Sequence, residues 1–211
     1  MYTLMVENMN KIKLEPSKDL AYILGVLYSD GCVKMYNYNN RPYYIIIVKT
    51  KDKIFAENVY NALKNIGLNV RIYISNGKYY EVESHSKMFV VWFLSLTLDD
   101  LLKIVDGYEK DFIRGFYEGD GNLSYRTKNG KKLPQIRFFN SNYKIIKLVR
   151  DLLIKLGYHP TPIRVYYKSS SSHRKKDLYF FAMYREKEIN MFLNDINPCI
   201  KRGEKRLKKQ I

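Results

Sequence analysis

Two short apolar runs, 20–31 and 110–121, each close on Asp-Gly, and a single offset superimposes them: Gly25 on Gly115, Asp30 on Asp120 and Gly31 on Gly121 are all 90 residues apart. A lone Asp-Gly is an ordinary turn signal. For one motif alone the plain reading is an Asp that ends its helix, followed by a glycine in the left-handed conformation that terminates helices. A pair in register, each at the end of a helical segment, asks for a two-fold arrangement that brings both carboxylates to one place. The chain must then fold as two similar halves.

The repeat continues past the motifs. At the same offset, 54–67 falls on 144–157 and pairs Val59 with Val149, Leu63 with Leu153 and Gly67 with Gly157. Both segments read as amphipathic helices stopped by a glycine. Between them the period drops to two. Leu68, Val70, Ile72 and Ile74 alternate with Asn69, Arg71 and Tyr73, and Asn122, Ser124, Arg126 and Lys128 alternate with Leu123, Tyr125 and Thr127. These are strands with one wet, basic face. Hairpin turns are expected at 38–42, 75–77 and 128–130, and a longer mobile tip at 168–176. Each half closes on a helix, at 87–96 with a continuation to 105, and at 185–196.

The expected fold is therefore α+β: two pseudo-symmetric αββαββα halves, 1–106 and 107–200, each with a four-stranded antiparallel sheet open on one face. A basic tail, 201–211, follows. Small residues spaced by four (Ala21, Gly25 and Ser29; Gly115 and Gly119) mark the seam where the two Asp-Gly helices pack closer than the usual ~8 to 10 Å. Asp111 interrupts that stripe. Leu20, Ile23 and Leu27, like Ile113, Phe116 and Tyr117, face their own halves.

Charge points to the partner. The 211 residues carry 37 Lys and Arg against 21 Asp and Glu, a formal +16 spread along the whole chain, so a polyanion is expected. Cys32 and Cys199 lack metal-ligand or disulfide-framework spacing. His85, His159 and His173 are too scattered for a histidine-metal motif. With no leader-like start and no apolar run of membrane-spanning length, a soluble intracellular protein is expected. Asp30 and Asp120 sit where the helix dipole disfavours a carboxylate. Two such anions side by side call for a shared divalent cation, and all-oxygen ligands suit Mg²⁺ completed by water and substrate phosphate.

At Ile23-Leu-Gly-Val-Leu-Tyr-Ser-Asp-Gly31 and Ile113-Arg-Gly-Phe-Tyr-Glu-Gly-Asp-Gly121 the chain resembles a LAGLIDADG homing endonuclease of the monomeric, two-repeat type. The resemblance implies that Asp30 and Asp120 are the catalytic metal ligands, with Mg²⁺ as cofactor and Mn²⁺ or Ca²⁺ able to replace it. It implies that each sheet enters the major groove of a long double-stranded DNA target, and that both strands are hydrolysed by in-line attack of water under two-metal stabilisation. An intron-encoded protein is expected. The sixth motif position, Tyr28 in one half and Glu118 in the other, departs from the family's Asp and makes the halves inequivalent. Active-site basic or amide groups are implied at Lys49 or Asn140, with lysines before the last helix of each half at Lys87 or Lys187. Outward-facing Arg71, Tyr73, Arg126, Lys128, Arg137, Arg164, Tyr166 and Lys168 are the expected DNA contacts. The rival readings are a non-cleaving maturase that assists intron RNA folding, or a DNA-binding regulator that kept the fold.

Overall fold

The computed structural model describes residues 12–167 and 176–200. The first half runs α1 (Lys18–Ser29), β1 (Gly31–Tyr38), β2 (Arg41–Thr50), α2 (Lys53–Asn65), β3 (Val70–Ser75), β4 (Tyr79–Ser84) and α3 (Lys87–Ser95), followed by α4 (Leu98–Val105). The second repeats it as α5 (Glu109–Asp120), β5 (Gly121–Lys128), β6 (Lys131–Asn140), α6 (Tyr143–Lys155), β7 (Arg164–Tyr167), β8 (Leu178–Met183) and α7 (Glu186–Asp195). Each half holds one antiparallel four-stranded sheet, ordered β1-β2-β4-β3 and β5-β6-β8-β7. The 90-residue offset maps β2 onto β6 and α2 onto α6 end for end. The expected α+β architecture of two sheet-bearing halves is the one found. The expected mobile tip and tail, apart from Lys176, lie outside the described residues.

Local chemistry sets the element ends. Ser17, Asp52, Ser86 and Asn142 cap the N-termini of α1, α2, α3 and α6 by accepting from backbone N–H groups. Gly67 and Gly157 follow the helix ends at φ 90° and 86°, conformations a side chain would resist. The hairpin turns carry Asn39-Asn40, Asn76-Gly77 and Asn129-Gly130, all with positive φ, the geometry that matches strand twist.

Two expectations are corrected. The last helix of the first half does not continue to Val105: Leu96 is extended, and Thr97 and Asp100 form a reciprocal capping box that starts α4 anew. In β3 only Val70 is buried, whereas Ile72 and Ile74 are 37% and 60% exposed. β3 is an edge strand, and Ile72 and Ile74 line an open groove with Lys53, Glu57, Tyr60 and Asn61 of α2.

One continuous apolar core spans both halves and centres on α1 and α5. In the second half, Phe116 and Tyr117 stack on Phe138, which also meets Phe181 and Phe192. Those rings lock α5 onto its own sheet and leave its small-residue stripe for the seam.

Candidate active site

The seam works as the small residues demand. A methyl on Gly25 would overlap the Phe112 carbonyl and lie 2.8 Å from Phe116 N; one on Gly115 would overlap the Tyr22 carbonyl and lie 3.0 Å from Val26 N. Near the tips, a methyl on Gly119 would overlap Ser29 Oγ and lie 3.1 Å from Asp30 N. The end of α1, which carries Asp30, therefore touches the turn of α5 that carries Asp120. Ser29 turns its hydroxyl inward to the Gly25 and Val26 carbonyls, at 3.0 Å each, which keeps this contact slim.

The glycines after the two aspartates do not take the left-handed role. Gly121 is extended, at φ −81° and ψ 158°, and Gly31 opens β1 directly. A methyl on Gly31 would sit 2.6 Å from Leu27 Cα, and one on Gly121 would strike the Tyr117 ring. Both glycines exist for close approach as the chain folds from helix into strand, so each carboxylate is set at a helix-to-sheet junction.

Asn140 ties the two halves together at this point. Its side-chain amide donates to Asp120 Oδ2 at 2.7 Å and to the Tyr28 carbonyl of α1 at 3.0 Å, while its Oδ1 accepts from Asn142 N at 2.7 Å. Asn140 is buried, Asp120 half-buried and Asp30 exposed. A cleft of about 460 Å³ opens here, lined by Tyr28, Ser29, Gly31, Asp120, Asn140 and Asn142 among others. Burial holds the Tyr28 hydroxyl above its ordinary pKa, so it is protonated near neutrality. Neither α1 nor α5 has a basic residue in its last turn. Both helix ends thus present a carboxylate and a dipole of the same sign with no cation from their own helices.

That donor set fits a hard divalent cation. Asp120, oriented by an amide, and Asp30, open to solvent, stand at two adjoining helix ends, and oxygen donors of this kind suit Mg²⁺ when water and phosphate complete its shell. No cluster of three or more His, Cys, Asp or Glu residues with metal-site geometry occurs among the described residues.

The other sequence-derived candidates scatter. Lys49 lies one register step beyond the Val48 and Gly31 pair, beside Asp30, and its ammonium pairs with Glu81 at 3.2 Å. It is not the repeat partner of Asn140. That position is Thr50, whose hydroxyl accepts from Asp52 N at 3.1 Å as Asn140 accepts from Asn142. Lys87 sits over the Tyr44 ring, four register rows from Gly31, roughly 13 Å at strand spacing. Lys187 is exposed in the first turn of α7.

Among the expected DNA contacts, the register places Arg71, Tyr73, Arg126, Lys128, Arg137 and Arg164 on the open sheet faces. Tyr166 packs edge-on against Phe139 and Phe180. Lys168 lies outside the described residues.

Sequence reasoning missed two features. Glu81 and Glu83 stand on the open face of the first sheet, both 3.0 Å from the Tyr73 hydroxyl, so that face is not purely basic; their spacing of two on a strand was the available signal. Glu118, in the second motif, is fully buried and accepts from Tyr22 Oη and Cys199 N at 2.6 Å each and from Arg114 Nε at 3.1 Å. Burial and the Glu118 charge raise the Tyr22 hydroxyl pKa and push the Cys199 thiol up to about 12. Burial would lower the Arg114 pKa, but Glu118 raises it on balance.

The LAGLIDADG-like domain signature matches residues 17–96 and again residues 107–197, so both halves carry it. The chain belongs to this family. It is 34% identical over 163 residues to the uncharacterized protein MJ0314 of Methanocaldococcus jannaschii, and 32% identical over 209 residues to MJ0398 of the same organism. Those matches cover 74% and 94% of this chain, and 60% and 73% of the two relatives, which are longer. The fold is that of the homing endonuclease I-DmoI. A structure of its mesophilic variants superimposes with TM-score 0.63 at 21% identity, covering 85% of this chain and 94% of the other. I-DmoI in complex with DNA and Mn gives 0.63 at 20% identity, covering 85% and 96%. The N-terminal LAGLIDADG domain of DUF199/WhiA shares the fold more distantly, with TM-score 0.54 at 13% identity over 89% of this chain and 86% of the other. No helix among the described residues is long and apolar enough to cross a membrane.

Proposed function

We propose that this LAGLIDADG protein is a site-specific DNA endonuclease of the homing type, acting as a monomer to make a double-strand break in a long, non-palindromic duplex. The observation that carries this reading is the cross-seam assembly at the helix tips, where Asn140 holds Asp120 and the α1 carbonyl together and α1 delivers Asp30 alongside. A chain that only bound nucleic acid would have no need to press two like charges together at two dipole-negative helix ends.

Asp30 and Asp120 would hold the divalent cation, Mg²⁺ or in its place Mn²⁺ or Ca²⁺. When bound, it supplies the positive charge that in-line phosphodiester hydrolysis needs at the reacting phosphate. Asn140 fixes the Asp120 carboxylate by donating to Oδ2. Lys49, beside Asp30 on the open face, is the basic group best placed to meet the scissile phosphate in the first half. The open sheet faces supply backbone and base contacts through Arg71, Tyr73, Arg126, Lys128, Arg137, Arg164 and Tyr166. The likeness to an endonuclease solved with DNA and Mn supports the reading.

The test is selection of cleaved molecules from a randomised duplex library with Mg²⁺ present. The expected result is a single long asymmetric site, cut on both strands and left intact once the cation is chelated. Specific binding without cutting would replace the enzyme by a regulator; binding confined to structured intron RNA would make it a maturase.

A further inference from the structure

The two open sheet faces carry inverted chemistry. On β5 and β6 of the second half, Arg126, Gln135 and Arg137 occupy the open face, since Ile136 and Phe138, which alternate with them, enter the core. The 90-residue offset puts Tyr36, Ile45 and Ile47 at the same three positions of the first half, where Ile46 and Val48 enter the core instead. Guanidinium and amide groups in one half therefore stand where aliphatic and aromatic groups stand in the other.

Both sets are held in place. The Arg126 guanidinium lies 4.5 Å over the Tyr184 ring, and Gln135, only 3% exposed, donates to Ser124 Oγ at 3.1 Å. The Nε groups of Arg126 and Arg137 are buried and have no hydrogen-bond partner among the described residues. In the first half, Tyr36 stacks on Tyr43 with ring centroids 5.7 Å apart, and Ile45 is 6% exposed beside the half-buried Ile47.

We infer that the two halves read different bases: Arg126 and Arg137 take guanines in one half-site, and Ile47 takes the 5-methyl group of thymine in the other. This rests on the reading of the sheets as a DNA-contact surface. In the major groove guanine alone pairs N7 and O6 acceptors with a guanidinium fork, and thymine alone offers a methyl group to an apolar side chain. Neither surface can substitute for the other, so a palindromic site would waste one of them.

Base analogues test this on the intact protein. Wild-type chain, with the cation chelated, selects a bound duplex from a randomised library, and that duplex is resynthesised with 7-deazaguanine or with uracil in one half-site at a time. Removing N7 should weaken binding at least about 5-fold in one half-site and less in the other. Removing one methyl should weaken it about 4-fold in the other. The Arg137→Met protein assigns the halves, because it should lose the part of the 7-deazaguanine penalty that Arg137 carries, retain the part that Arg126 carries, and keep the uracil penalty. Tolerance of both analogues, equal penalties in both half-sites, or an unchanged 7-deazaguanine penalty in Arg137→Met would overturn the inference. Failure to select any duplex would instead overturn the proposed function.

Discussion

At the scale of single residues, two carboxylates of the second motif have opposite fates. Asp120 is half-buried at the cleft, whereas Glu118 two residues earlier is fully enclosed and organises Tyr22, Arg114 and the Cys199 backbone. Glu118→Ala strands a half-buried guanidinium and a buried hydroxyl, and should cost about 3 to 5 kcal/mol in urea unfolding. Cys199 belongs to the same network. With its thiol pKa near 12, thiolate is scarce at pH 8, so alkylation should mark exposed Cys32 readily and spare Cys199 until the protein unfolds. A folded pKa raised above the ordinary thiol value of 9.0 favours the protonated thiol. Its contribution to stability is therefore complete below pH ~9 and lost as pH rises through ~12, and an alkaline unfolding titration should show that decline weakened in Cys199→Ser. Glu118 could be read as a motif position from the sequence, but not as a clamp, because Tyr22 and Cys199 are 96 and 81 residues away along the chain and only the fold joins them.

Helices and strands show which sequence signals survive folding. The small-residue stripe, the Asn-Gly turns and the glycine helix stops were legible because each is a steric demand that no neighbour can relax. Gly115→Ala should therefore destabilise by at least about 3 kcal/mol in thermal or urea unfolding, since the added methyl meets the α1 backbone rather than a movable side chain. Gly119→Ala meets Ser29 and the Asp30 amide instead. It should cost less stability while reducing cleavage more, a dissociation that parallel unfolding and cleavage assays can read. Burial along β3 was not legible. Alternation tells which side chains share a face, but how closely α2 packs on that face depends on the fold, and an open groove separates it from Ile72 and Ile74. The break between α3 and α4 was written in Thr97 and Asp100 as a capping box, yet the apolar run on both sides concealed it. The Asn140 bridge had only half a signal: its position at a strand end was visible, while its reach to Tyr28 needed the second helix to be placed.

For the whole molecule, a net charge of +16 combined with two open sheet faces means that affinity for DNA should come largely from phosphate contacts. Binding should then fall by orders of magnitude between ~50 and ~200 mM salt if six or more phosphates are met; a flat salt profile would argue against a DNA surface of this breadth. The two halves share a fold but not a chemistry, with Asn140 matched by Thr50 at the junction and Arg137 by Ile47 on the sheet. A single chain free to diverge in this way can serve an asymmetric target. What must stay common to both halves is the seam that sets Asp30 beside Asp120. The most direct test is to pair binding and cleavage assays for Asp120→Asn on a selected target duplex with Mg²⁺: binding should persist near the wild-type level while cutting of both strands disappears, and retained double-strand cleavage would contradict the shared-cation site.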